Sequence, residues 1–197
     1  MKTHAFTTSI FKVLLCCLLL SNFGALAQKT SIWIVMNAEI LGKQDYLSQA
    51  GQARAEDLSK ILKREKLQAI YIDDRRVSQQ TADVLAGKSK ILPRVYADSI
   101  KALADKIRKN FEGKKVLIVA KPTNIMPLLS AFGARAPFSG VSNDDNDLLF
   151  SLTLNAGSGK TDLFVSHYGK SQHSTEIPQE YILQNFYPGF VPPTNNH

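Results

Sequence analysis

From residue 31 onward, short β-branched runs alternate with amphipathic stretches, and this alternation restricts the fold more than any other feature. Ser31-Ile32-Trp33-Ile34-Val35-Met36 is β-branched and aromatic and reads as a buried strand. The spacing predicts a helix from about Ser48, a good N-cap, to Lys66, with Ala50, Ala53, Leu58, Ile61 and Leu62 on its apolar face. Ala69-Ile70-Tyr71-Ile72 is a second strand, Ser78 to Ala86 a second helix, and Ile91 to Tyr96 a candidate third strand. Asp98 then stands where it would cap a helix that turns Ile100, Leu103, Ala104, Ile107 and Phe111 inward. Lys115 to Ala120 is the clearest strand, and a short helix from Thr123 to Phe132 follows it. Leu148 to Leu154 and Asp162 to Ser166 close the series as a hairpin. Strands alternating with helices imply a three-layer α/β/α sandwich around a mostly parallel central sheet.

The N-terminus stands apart from this pattern. Lys2 and Lys12 precede the apolar run Val13 to Leu20, and Ala25-Leu26-Ala27 supplies a small-x-small cleavage pattern, so residues 1–27 read as a secretory signal peptide. The run is too short to cross a bilayer, which takes about 20 apolar residues. Both cysteines, Cys16 and Cys17, fall within this segment, and adjacent cysteines support neither a disulfide framework nor a four-ligand zinc site. The expectation is an exported chain, periplasmic or extracellular, cleaved near Ala27 and left with no stable membrane span. A single domain over residues 28–169 is then followed by an extension, 170–197, with Pro188, Pro192 and Pro193 near its end, which suggests a surface tail.

Charge excludes less than it first suggests. The full chain carries +7, from 24 basic and 17 acidic residues; without Lys2 and Lys12 the count is 22 against 17, or +5. Lys101, Lys106, Arg108, Lys109, Lys114 and Lys115 cluster on the outer face of one helix and its exit, with no aromatic platform beside them. That is a solvated face rather than a nucleic-acid surface, and no nucleic-acid partner is expected. Gly157-Ser158-Gly159-Lys160-Thr161 resembles a phosphate loop, but Leu154 stands where its first glycine belongs and the segment joins two strands. The histidines beyond the signal segment, His167, His173 and His197, lack the three- or four-residue spacing of helical metal ligands, so they read as surface histidines. Neither a metal nor a cofactor is expected.

Three blocks carry a resemblance. They are Ile32-Trp33-Ile34-Val35-Met36-Asn37-Ala38-Glu39 with Leu47-Ser48-Gln49-Ala50-Gly51-Gln52-Ala53-Arg54-Ala55, then Tyr71 to Ala82, then Val116 to Pro127. In this order they resemble the motifs of the histidine phosphatase superfamily, the phosphoglycerate mutase-like proteins of branch one. Leu149-Phe150 and Tyr168-Gly169 extend the likeness, which spans about residues 30–169. The resemblance implies a phosphoglycerate mutase-like sandwich. It also implies a histidine nucleophile, two arginines and a second histidine around a phosphoryl group, and a carboxylate that protonates the leaving group.

The matching positions lack that chemistry. The nucleophile position is Asn37, the two arginine positions are Met36 and Val77, and the second histidine position is Lys121. An amide nitrogen has a delocalised lone pair and cannot attack phosphorus. Apolar Met36 and Val77 cannot replace fork-shaped cationic donors. Loss of a nucleophile alone can cost on the order of 10⁴–10⁶ in rate. The expectation is a catalytically inactive member. Asn37, Lys121 and Arg76 are candidates for binding a small anionic or phosphorylated ligand, and a protein-interaction role is the other non-catalytic reading. The alternative is a phosphomonoesterase with an unconventional or residual site, for which His167 would be the nucleophile. Glu39 and Asp98 are the positions open to a general acid.

Overall fold

The computed structural model describes residues 29–96 and 99–189. The segment read as a signal peptide, residues 1–27, with Cys16 and Cys17, lies outside the described residues, as do Asp98, Pro192, Pro193 and His197. In chain order the elements are β1 (Lys29–Met36), α1 (Gln49–Leu62), β2 (Ala69–Ile72), α2 (Arg76–Ser89), β3 (Arg94–Val95), α3 (Ile100–Asn110), β4 (Lys115–Ala120), α4 (Pro122–Ala131), β5 (Leu148–Asn155), β6 (Thr161–His167) and α5 (Gln179–Phe186). They form one sheet in the order β3-β2-β4-β1-β5-β6. β3, β2, β4 and β1 run parallel, whereas β5 and β6 are antiparallel additions at one side. The fold is therefore the mostly parallel α/β sandwich that the alternation implies.

The two-residue period of a strand builds both cores at once. Ile32, Ile34 and Met36 of β1 point to one face, where they join Leu103, Ala104 and Ile107 of α3 and Ile125, Leu128 and Leu129 of α4. Val35 points to the other face with Leu117 and Val119 of β4, packed under Leu58 and Leu62 of α1 and Leu85 of α2. Burying each of these large side chains contributes roughly 1.5–3 kcal/mol before entropy is subtracted.

Several expectations shift on contact with the structure. Helix α1 begins after Ser48, whose hydroxyl accepts from the Gly51 N–H, but ends at Leu62 rather than Lys66. Its buried face is Gly51, Arg54, Ala55, Leu58, Ser59 and Leu62, while Ala50, Ala53 and Ile61 face solvent. The apolar residues alone misplace that face because it includes a buried arginine. β3 shrinks to Arg94–Val95, an edge strand after Pro93, which has no N–H to offer a ladder. Ser99, not Asp98, caps α3, with its hydroxyl accepting from Ala102 N–H. The C-terminal extension is not all irregular: α5 docks against β6, where Tyr181 accepts the Val165 N–H through its hydroxyl and Phe186 packs on Phe164 at 4.8 Å between ring centres. Residues 157–160 lie in the β5–β6 connection and Thr161 opens β6, so they have hairpin rather than phosphate-loop context. No helix among the described residues is long and apolar enough to cross a membrane.

Candidate functional site

The parallel strands end where ligands of open α/β sheets gather, outside their carboxyl edge. Asn37 follows β1 there and extends the ladder, donating its backbone N–H to Ala120. Asp73, the residue after β2, fixes the neighbouring strand ends. Its buried carboxylate accepts the Lys121 N–H at 2.6 Å and the Arg75 N–H at 3.0 Å. Thr81 of α2 ties that helix to the same edge by accepting the Ala38 N–H at 2.9 Å. Between these supports lies a cleft of about 330 Å³ lined by Asn37, Ala38, Glu39, Ile40, Arg75, Pro122, Asn143, Asp144, Asn146 and Gln172.

Glu39, which lines the cleft, is held by Arg54 of α1. The Arg54 guanidinium donates to both Glu39 oxygens, the shortest contact being 2.6 Å, and to the carbonyls of Tyr168 and Lys170 at 2.9 Å each. One side chain from α1 thus joins the loop after β1 to the chain leaving β6. Burial alone would favour the neutral form of Arg54, but the Glu39 bonds and charge outweigh it and raise its pKa. Gly51 lets α1 approach: a Cβ there would stand 2.2 Å from the Glu39 carbonyl oxygen, nearer than any real contact. Tyr168, wholly buried beside Arg54, has its phenol pushed up by burial, a shift that the guanidinium only partly opposes. Glu39, one of the two carboxylates open to an acid role, is therefore a structural partner of Arg54.

The positions carried over by resemblance separate in space. Asn37 lines the cleft, 5% exposed; its Nδ2 donates to the Ala38 carbonyl and its Oδ1 is buried without a hydrogen-bond partner among the described residues. Asn146 closes in from the loop before β5, donating its Nδ2 to the Asn37 carbonyl at 2.9 Å. Met36 and Val77 do not reach the cleft. Met36 belongs to the core beneath α3 and α4, and Val77 packs with Ala38, Leu47 and Ala55. Lys121 is exposed and is not among the lining residues; its contribution is the backbone N–H held by Asp73. Arg76 is exposed as well, its guanidinium 4.2 Å above the ring of Tyr46. Arg75, its neighbour, is the arginine that lines the cleft, paired with Asp45 at 3.3 Å. Sequence spacing pointed to Arg76 because it is adjacent to the matched position, whereas α2 begins at Arg76 and leaves Arg75 on the rim as its N-cap.

Electrically the cleft is unlike a phosphate pocket. Its one cationic side chain, Arg75, already faces Asp45, and two carboxylates, Glu39 and Asp144, share the lining. Pro122 occupies the first turn of α4 and has no N–H, which removes a donor from the helix end nearest the cleft. The remaining polar groups are the amides of Asn37, Asn143, Asn146 and Gln172.

Gln172 belongs to a strap, residues 170–175, held over the loop 142–147. Asp145 accepts hydrogen bonds from the backbone of Ser142, Ser174 and Thr175 and from the Thr175 hydroxyl. Burial would raise the Asp145 carboxyl, but the bonds from Thr175, Ser174 and Ser142 outweigh it and hold the carboxyl below its ordinary range. Asp147 accepts the Gln172 N–H at 3.0 Å and meets His173 Nδ1 at 2.8 Å. His167 and His173, separate surface histidines as far as spacing could tell, stack with ring centres 4.4 Å apart. His167, the one histidine proposed for an unconventional phosphoenzyme, is not among the residues that line the cleft.

Comparison with solved structures agrees with this architecture. The chain superposes on a mycobacterial glucosyl-3-phosphoglycerate phosphatase with a TM-score of 0.55 at 14% identity, covering 72% of this chain and 99% of that one. A structure described as mycobacterial hydrolase 1 gives 0.55 at 13% identity over 73% and 99%, and YhfR of Bacillus stearothermophilus gives 0.52 at 17% over 70% and 96%. No family model and no curated protein matches the sequence. The chain has a phosphoglycerate mutase-like α/β fold.

Proposed function

We propose that the chain is a non-catalytic protein of the histidine phosphatase fold that binds a small polar ligand in the cleft at the end of β1. The observation that carries this reading is the side chain that the resemblance puts at the nucleophile position: Asn37 lines the cleft with a buried amide oxygen that has no partner among the described residues, and no described histidine, serine, cysteine or threonine lines the cleft with it. A phosphoryl-transfer site needs a nucleophile and concentrated positive charge. Here the arginine positions are core residues and the lining carboxylates outnumber the guanidinium. Four amides that both donate and accept suit an uncharged, hydroxylated or amide-bearing ligand better than a phosphate. Export belongs to the same proposal, on the strength of residues 1–27.

The test uses the purified chain beginning at Gln28. Incubated with an aryl phosphate from pH 5 to 8, it releases no phenol above buffer; turnover would end the non-catalytic reading. Thermal melting against a panel of monosaccharides and against inorganic phosphate then separates ligand classes, since a ligand specific to the folded state raises the midpoint. A rise with an uncharged compound, lost in Asn37→Ala, is expected. A rise with phosphate that disappears in Arg75→Ala would replace the uncharged ligand by an anionic one. Intact mass of the secreted chain should correspond to cleavage after Ala27.

A further inference from the structure

The strap and the end of β6 meet in an arrangement that the cleft does not use. Asp147 is fully buried, and its Oδ2 stands 2.8 Å from His173 Nδ1 and 3.4 Å from His167 Nδ1. The first contact is a hydrogen bond; the second is long for one. One donor atom from each of the three residues lies within 4.8 Å of the others. The second carboxylate oxygen, Oδ1, is buried and has no hydrogen-bond partner among the described residues. A buried carboxylate with an unsatisfied oxygen is costly unless positive charge meets it. Arg54 is near enough for its charge to be felt, but its hydrogen bonds go to Glu39 and to the carbonyls of Tyr168 and Lys170.

We propose that Asp147, His167 and His173 form a binding site for a divalent transition-metal ion of the zinc type. Ligand atoms about 2.0–2.1 Å from one ion stand roughly 2.8–3.4 Å apart when the angles between them run from about 90° to 110°. The two separations at Oδ2 fall in that range. Two imidazole nitrogens and one carboxylate suit zinc, cobalt or nickel, and not magnesium or calcium, which take oxygen ligands. The histidines are 40% and 31% exposed, so solvent supplies the remaining coordination position. The donors come from three places: the loop before β5, the end of β6 and the strap. A bound ion clips the strap to the sheet, next to Gln172 at the cleft margin. This site does not depend on what the cleft binds, since none of its three donors lines the cleft.

The experiment uses the untagged chain from Gln28, stripped with a chelator and titrated with Zn²⁺ by calorimetry and with Co²⁺ by visible absorption. One ion per chain is expected, with d–d absorption of four- or five-coordinate cobalt and a higher melting midpoint with zinc. His167→Ala is the decisive variant. It leaves the Asp147–His173 hydrogen bond in place, so a merely structural pair survives it, whereas chelation weakens by at least about tenfold. His173→Ala should weaken zinc binding likewise, and excess Mg²⁺ should not compete. Absence of binding in the parent chain, or unchanged affinity in the His167→Ala/His173→Ala double variant with its circular dichroism intact, overturns the site.

Discussion

Two polar neighbourhoods of this protein differ in how they treat charge. At the end of β1, positions where the resemblance implies two arginines carry Met36 and Val77, and both are fully buried in apolar clusters. Around the strap, by contrast, Asp145, Asp147, His167 and His173 concentrate titratable groups in a few residues. Asp145 and Asp147 are buried and receive hydrogen bonds from the strap. The first region is apolar packing; the second gathers charge and uses it to hold residues 170–175. Positions 36 and 77 are absorbed into the core, so a cationic side chain introduced at either one meets apolar neighbours rather than the cleft.

The largest expected effect tests that absorption directly. Met36→Arg places a guanidinium where no anion is packed and should destabilise the chain by roughly 4 kcal/mol or more, or prevent folding, by urea unfolding. A folded Met36→Arg chain of parental stability would show that position 36 can open toward the cleft. Next comes the joint between the two regions. Arg54→Ala removes the guanidinium that bonds Glu39, Tyr168 and Lys170, and should cost about 3 kcal/mol by the same measurement. A loss below about 1 kcal/mol would place this pair with ordinary surface contacts.

Asp145→Asn follows, with an expected loss of about 1–3 kcal/mol, because the Ser142, Ser174 and Thr175 donors lose their ionised acceptor. Its pH counterpart has a definite sign. The Asp145 carboxyl is depressed in the folded chain, so its contribution is complete above the ordinary aspartate pKa, about 3.9, and is lost as pH falls through the lower folded value. The protection of the Ser174 and Thr175 amides against hydrogen exchange, taken relative to the intrinsic rate at each pH, should therefore fall below about pH 4, and that fall should vanish in Asp145→Asn. Equal acid sensitivity in the variant would assign it to another group. The smallest effect belongs to the cleft rim: Arg75→Ala breaks a part-exposed pair with Asp45 and should change stability by about 0–1 kcal/mol in the melting curve.

Much of this was legible in the residues. Continuous apolar runs identified β1, β2 and β4, and the hairpin context of residues 157–161 dismissed a phosphate loop. The position of Asn37 at a strand end, and so beside a cleft, was legible because β1 stops one residue before it. The choice between Arg75 and Arg76 was not legible, since a helix start one residue earlier or later exchanges which side chain faces the rim. Nor was the inner face of α1, where Arg54 is buried by partners 15 and more than 110 residues away. Lys121 preserves a charge in the sequence, yet its side chain is solvated and only its backbone N–H has a role at the strand ends.

The sequence by itself determined the alternation of strands and helices, an asparagine rather than a histidine at position 37, and the short apolar run ahead of Ala27. These rest on local periodicity and residue chemistry, which need no knowledge of distant neighbours. Tertiary structure alone decided that Met36 and Val77 are core, that Arg75 rather than Arg76 lines the cleft, and that His167 and His173 share one carboxylate. Those facts depend on how loops return across the sheet, and a chain position carries no record of which distant residue will face it.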